Sequence, residues 1–338
     1  MRAVSLRELN RTLLARQLLT QRRRIPLTRA VERLVALQGQ YAPSPFVALW
    51  SRVDGFRKDQ LTRALRRGSL VKAGTFRSTL HVLSRRDYPF HMAAYIESQR
   101  GRSAGLGVDL LALWAAIPEG PVTSAELFEI GARVLESDDR WTVAFALRAL
   151  PFLRTEPVGP WPHTKPSPSV AWAEPLPDAA ESAFRVVRAY LAGYGPASRE
   201  DIVQFTGFRL RQVDPALDGL PTFEDETGRT LYDLPRASLE PSSAPAPVRF
   251  LPAFDSIILA HRDRSRIVPP EYLGVVFNRK NATTKNTFTV DGFVAGAWRI
   301  DRGGKLAVEP FAPLPARVRR ELDAEGARLA AFYTQPGV

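Results

Sequence analysis

Residues 195–235 read GPASREDIVQFTGFRLRQVDPALDGLPTFEDETGRTLYDLP. Pro196 and Ser198 lead into an amphipathic stretch, and Asp201 follows Ser198 by three, the spacing of a reciprocal cap at a helix start. REDIVQFTG and RLRQVDPALDGL then read as short helices, and PTFEDETGRTLYDLP as a β-hairpin. The same start recurs in GPVTSAELFEI from Gly120, where Thr123 and Glu126 keep the spacing. It recurs again in IPLTRAVERL from Ile25, with Pro-x-Thr but no acid. Helices and a hairpin-like stretch follow each: KDQLTRALRRG with LVKAGTFRSTLHVLS (turning near Gly74–Arg77) in the first, WTVAFALRAL with FLRTEPVG in the second. One such start is ordinary helix chemistry. Three in the same order predict an α+β fold of about three tandem winged helix-turn-helix modules around a concave DNA-binding face. We place them at 1–104, 105–178 and 179–338, the third ending in a β-rich part. The second closes with the stretch 156–178, whose seven prolines in 23 positions suit neither a long helix nor a central strand.

The chain of 338 residues, 45% hydrophobic and 24% charged, has the composition of a protein with buried cores. No apolar run approaches the roughly 20 residues of a membrane span, and the N-terminus reads as an amphipathic helix, so a cytoplasmic, nucleoid-associated protein is expected. Without cysteine there are no disulfides, thiolate nucleophiles or Cys-ligated zinc. The net charge of +12 is uneven. Residues 1–100 carry 20 Lys/Arg against 6 Asp/Glu, whereas 101–338 carry 27 against 29. A surface with that bias attracts a polyanion such as DNA, because each neutralised phosphate releases counterions.

No P-loop, GxGxxG, HExxH or GxSxG motif is present. His81, His91, His163 and His261 lack metal-ligand spacing and read as structural, so neither a metal nor an organic cofactor is indicated. The unusual stretch is LVALQGQYAPSPFVALWSRVDGF, residues 34–56. There an apolar helix is expected to end in Gln38-Gly39-Gln40, with Pro43 and Pro45 starting another, which places both glutamines on a rigid helix-to-helix corner.

LARQLLTQRRRIPLTRAVERLVALQGQYAPSPFVALWSR, GTFRSTLHVLSRRDY, GPASREDIVQFTG, RFLPAFDSIILAHRDRSRIV and VDGFVAGAWR, in this order, resemble blocks of the AlkZ-like winged-helix DNA glycosylases. The resemblance spans about residues 10–300. It implies hydrolysis of the N-glycosidic bond of alkylated purines and assigns the family's catalytic Gln-x-Gln to Gln38 and Gln40, with Gly39 where the family typically has an aliphatic residue. It further implies a role in DNA repair, including excision of bulky or interstrand-crosslinking adducts and self-resistance to a DNA-alkylating antibiotic.

Glutamine is too weakly basic for general-base catalysis, but its amide both accepts from and donates to a water. Orienting a water suffices where the leaving group is already good, as for a cationic N7-alkylguanine that departs neutral. With no lysine implicated as nucleophile, a monofunctional enzyme is expected. Arg22, Arg23, Arg24, Arg63, Arg66, Arg67, Lys72 and Arg77 are candidate phosphate contacts near the first module's helices and wing. Arg279, Lys280 and Lys285, in a polar segment between apolar runs, are candidates on a hairpin of the last module that the resemblance brings to DNA. Thr79 and His81 read as hairpin packing beside the site, Asp255 and Asp291 as capping or turn groups, and Trp50, Trp114, Trp141 and Trp298 as core. A monomer on duplex DNA is expected. The competing reading is a non-catalytic winged-helix regulator, against which no dimer helix stands out in the sequence.

Overall fold

The computed structural model describes residues 2–155, 167–278, 280–301 and 304–335. It is a mixed α+β fold with several small sheets. The repeated helix starts set its local order. Ser198 accepts from the Asp201 N–H while the Asp201 carboxylate accepts from the Ser198 N–H, and Thr123 and Glu126 do the same. The helix Leu27–Arg33 begins at Pro26 with no side-chain cap, so Thr28 lies inside it and does not cap it as Thr123 and Ser198 cap theirs. From Ala179 the order is helix Ala179–Tyr194, helix Arg199–Thr206, helix Leu210–Val213, then the antiparallel strands Thr222–Asp225 and Thr230–Tyr232. From Leu110 it is Leu110–Ala115, Ser124–Val134 and Arg140–Arg148, then strands Phe152–Arg154 and Ser169–Ala171. In both, the residue before the capping hydroxyl (Ala197, Val122) bridges to the second strand, Ala197 to Tyr232 and Val122 to Ser169. Of the Pro-rich stretch, residues 156–166 lie outside the described residues.

The sheets do not respect the sequence segments. Leu37–Gln38, Leu80–Ser84, Leu70–Gly74, Phe152–Arg154 and Ser169–Ala171 form one five-stranded sheet in that spatial order, so strands from either side of residue 104 share a ladder. The N-terminal strand Arg2–Val4 pairs in parallel with Thr222–Asp225. A four-stranded antiparallel sheet, Leu306–Pro310, Phe293–Ile300, Asn286–Val290 and Arg249–Leu251, packs with the final helix Ala316–Thr334 against the first helices, burying Trp50, Phe250, Phe288 and Phe332 together. A second core gathers Leu13, Phe76, Tyr95, Tyr190, Tyr194 and Phe205 from widely separated segments. No helix among the described residues is long and apolar enough to cross a bilayer.

Two sequence expectations change. Trp141 is not a core residue: it is 48% exposed and stacks on Phe145 one helical turn on, with ring centroids 5.6 Å apart. Gln38 and Gln40 do not occupy a helix-to-helix corner. The preceding helix stops at Arg33, Val35 takes the left-handed region at φ 66°, and the chain then pairs with the edge of Leu80–Ser84, Leu37 opposite Val82 and Gln38 opposite His81. The unpaired N–H and C=O groups of that edge supply hydrogen bonds that a frayed helix end lacks.

Candidate active site

Pairing with the sheet edge gives the Gln-Gly-Gln motif an ordered backbone. The Gly39 N–H donates to Leu80 O at 2.7 Å. In the return bond, the Leu80 N–H donates at 3.3 Å to the Gln40 side-chain Oε1. The Gln40 amide is thereby oriented by its oxygen. Gln40 is exposed and lines a cavity of about 310 Å³ shared with Ser124, Phe128, Arg148, Phe152 and Arg154. Gln38 is 8% exposed, and its Oε1 is buried without a protein donor. A buried acceptor left unsatisfied costs about 1–3 kcal/mol, so this site tolerates an expense that an apolar side chain would avoid.

Distant sequence holds the segment in place. Ser256 Oγ donates to Ala36 O at 3.0 Å, and Ser44 Oγ donates to Ala253 O at 2.6 Å, clamping both ends of the motif loop. Ser256 in turn begins the short helix Ser256–Leu259, N-capped by Asp255. Asp255 also takes both terminal nitrogens of Arg52 at 2.7 and 2.9 Å, and both side chains are 1% exposed. Asp255 is thus a capping group, as expected. Asp291, the other expected turn group, sits at φ 48° and pairs with Arg7 and Arg11.

Beyond Tyr41, itself 48% exposed, a groove of about 790 Å³ runs past Phe254, Lys285, Trp298 and Arg299 to Glu309. The strands Phe277–Asn278 and Thr283–Thr284 form a two-stranded hairpin beside it. Lys280 and Lys285 are exposed there, and Arg279 lies outside the described residues.

The other basic candidates divide. Arg23, Arg24, Arg66 and Arg67 are exposed, Arg24 facing Asp54 at 3.5 Å, and Arg63 pairs with Asp59. Arg22 is turned inward: its guanidinium pairs with Glu325, donates to Trp50 O at 2.9 Å and covers the Trp50 ring. Arg77 is likewise committed, donating to the Gln204 and Phe205 carbonyls over the Phe205 ring. Burial first, and the Arg264 charge besides, brings the Arg77 pKa down to about 10. These two were phosphate candidates because sequence shows charge but not the internal acceptors that consume it. Lys72 is half-buried within the sheet rather than on a surface face. Arg154, read only as part of a wing, reaches the cavity and donates to Ser169 Oγ at 2.9 Å and Ser167 O at 3.0 Å.

His81 is buried opposite Gln38, its Nδ1 3.0 Å from Thr75 Oγ1, and Thr79 lines the cavity. Burial brings His81 and His261 down to about 3 and His91 to about 4; His163 lies outside the described residues. All three are therefore neutral near pH 7, as packing groups should be. Because the fold favours their neutral forms, their contribution is complete above the ordinary histidine pKa of 6.5 and is lost progressively as the pH falls below it. The thermal midpoint is expected to decline between pH 7 and pH 5, measured in a buffer series. A midpoint that stays level would contradict the burial. Among the described residues, no group of three His, Cys, Asp or Glu side chains converges on a point where a metal would sit.

The comparisons with known proteins agree on what this mixed fold resembles. The family model "DNA glycosylase AlkZ-like" matches residues 31–332, and the chain belongs to the AlkZ-like DNA glycosylase family. Among solved structures, it is similar to the DNA glycosylase AlkZ of Streptomyces sahachiroi, with a TM-score of 0.79, 20% identity and 98% of each chain covered. At that identity the likeness is one of fold. No curated protein matches the chain in sequence.

Proposed function

We propose that the protein is a DNA glycosylase that excises N7-alkylated purines, bulky and interstrand-crosslinking adducts included, by water attack on the N-glycosidic bond. On this reading it is a monomer of tandem winged-helix modules on duplex DNA, serving repair and self-resistance to a DNA-alkylating antibiotic. The observation that carries the reading is the Gln38 oxygen: a buried acceptor with no protein donor, two residues from an exposed amide held by the Leu80 N–H. An orphan acceptor fits a water, and Gln40, two residues on, is exposed to solvent. Neither amide takes a proton, so the pair orients the nucleophile while the departing cationic base supplies the driving force.

The test is a duplex carrying one N7-methylguanine, incubated with the protein and then heated in alkali. Strand scission by the wild type, lost in Gln38→Ala and Gln40→Ala at unchanged DNA affinity, is the expected result. Binding without scission, on this lesion and on an antibiotic crosslink, would instead support a regulator.

The exposed Arg23, Arg24, Arg66, Arg67, Lys280 and Lys285 are the proposed phosphate contacts. Removing Lys280 and Lys285 together is expected to weaken binding equally on any sequence. It should also reduce the slope of log affinity against log salt by about 2, close to one per lost contact. An unchanged slope would take the hairpin off the DNA.

A further inference from the structure

The cavity that Gln40 lines is also lined by two arginines, Arg148 and Arg154, and by no carboxylate among the described residues. Arg148 ends the helix Arg140–Arg148 and Arg154 ends the strand Phe152–Arg154, so two elements in succession bring their basic ends to one space. Leu127, Phe128, Leu147 and Phe152 supply an apolar wall beside them. A cavity of about 310 Å³ is compact, so an anion held there by the arginines lies close to Gln40. Sequence charge did not point to this pair, because residues 101–338 balance 27 Lys/Arg against 29 Asp/Glu.

Neither guanidinium is consumed by the protein. Arg148 is exposed and makes no hydrogen bond or ion pair with the described residues. Arg154 is half-buried, and its bonds to Ser124 Oγ, Ser167 O and Ser169 Oγ, at 3.4, 3.0 and 2.9 Å, all leave from Nη1 and end on neutral oxygens. Its Nε and Nη2 meet no acceptor among the described residues. Burial lowers the Arg154 pKa, and the charge it acts on is another cation: after burial, Arg154 is what lowers the pKa of Lys72. By contrast, Asp255 takes both terminal nitrogens of Arg52, and Asp233 takes both of Arg16. A half-buried cation without such a partner is a place for an anion from outside.

We propose that Arg148 and Arg154 form a subsite for one backbone phosphate of the damaged strand, flanking the nucleotide whose glycosidic bond is presented to Gln40. A guanidinium matches two phosphate oxygens with two parallel N–H bonds, and two guanidiniums from different elements fix the group from two sides. The subsite rests on the glycosylase reading and deepens it. An oriented water is productive only against a sugar that is itself held, and the phosphate is the part of the substrate nearest that sugar that a cation can grip. The charges also agree. The sugar becomes positive as the base departs, and two bare cations beside it would oppose that change, whereas a bound phosphate offsets them. The exposed arginines and lysines listed above add affinity along the duplex; this pair fixes one nucleotide.

The test puts a neutral methylphosphonate in place of each phosphate in turn around a single N7-methylguanine, and reads single-turnover excision by the full-length protein at saturating concentration. In the wild type, neutralising one linkage that flanks the lesion should lower the rate by about tenfold or more, with smaller effects farther away. Arg148→Ala and Arg154→Gln should each lose a similar factor on the ordinary duplex and lose little more at that linkage, and Arg148→Lys should recover part of the rate. The thermal midpoint of Arg148→Ala should match the wild type, because Arg148 bonds to no described residue. Wild-type excision indifferent to every flanking linkage, or full sensitivity to that linkage persisting in both variants, would overturn the subsite and leave the glycosylase standing. The scan on the wild type decides the first point even if Arg154→Gln does not fold. Absence of excision from any lesion would overturn the glycosylase reading instead. The same scan read as affinity then decides the subsite: a drop at one linkage that Arg148→Ala abolishes supports it, and no such drop removes it.

Discussion

Replacing Gln38 by methionine is expected to stabilise the protein and to abolish excision in the same step. The Gln38 oxygen is buried and receives no protein hydrogen bond. A side chain of similar length without a polar end removes a penalty of about 1–3 kcal/mol. The thermal midpoint should rise by a few degrees. Excision of N7-methylguanine should fall by roughly 10²–10³-fold, the loss typical when one oriented polar group is removed from a reacting centre. A residue kept for packing would show the opposite pairing, with stability falling and activity largely retained. Midpoint and single-turnover rate measured on one preparation distinguish the two. Gln40→Ala should share the loss of rate but not the gain in stability, because Gln40 is exposed and its oxygen is already occupied by the Leu80 N–H.

Asp255→Ala should have the largest effect on stability. Its carboxylate holds both terminal nitrogens of a fully buried Arg52, which also donates to Gln17 O and Ala48 O. Breaking one side of a buried pair leaves an uncompensated charge and costs about 3–5 kcal/mol. The helix cap on Ile257 is lost at the same time. The urea midpoint should drop with little change in slope, and excision should fall with it, because the short helix capped by Asp255 carries the Ser256 bond to Ala36 at the foot of the motif loop. Replacing Arg52 and Asp255 together by leucine and methionine should recover much of the stability, since no charge is then stranded. If the single variant melted with the wild type, Asp255 would not be the anchor its geometry indicates.

Much of the local structure was legible in the sequence because its causes are local. The reciprocal caps at Thr123 and Ser198, the alternation over 70–84 and the turn near Arg77 depend on residues within a few positions of each other. The glutamine pair was legible as a motif, but its setting was not. A strand edge was needed to draw Leu37–Gln38 out of a helical pattern, and that edge comes from residues some 43 positions later. Charge was legible only as a total. Sequence gives Arg22, Arg77 and Lys72 the same sign, while packing sends Arg22 to Glu325, Arg77 to two carbonyls and Lys72 beneath Gly39.

By itself, then, the sequence determined the order of helices and hairpins, the basic first third of the chain and the identity of the Gln-x-Gln residues. Tertiary structure alone decided that strands from both sides of residue 104 share a sheet and that block 249–268 clamps the motif. The physical reason is range. Caps and turns are set by dihedral preferences and hydrogen bonds a few residues apart, whereas a site forms where segments hundreds of residues apart satisfy one another's buried polar groups. No local pattern encodes that pairing.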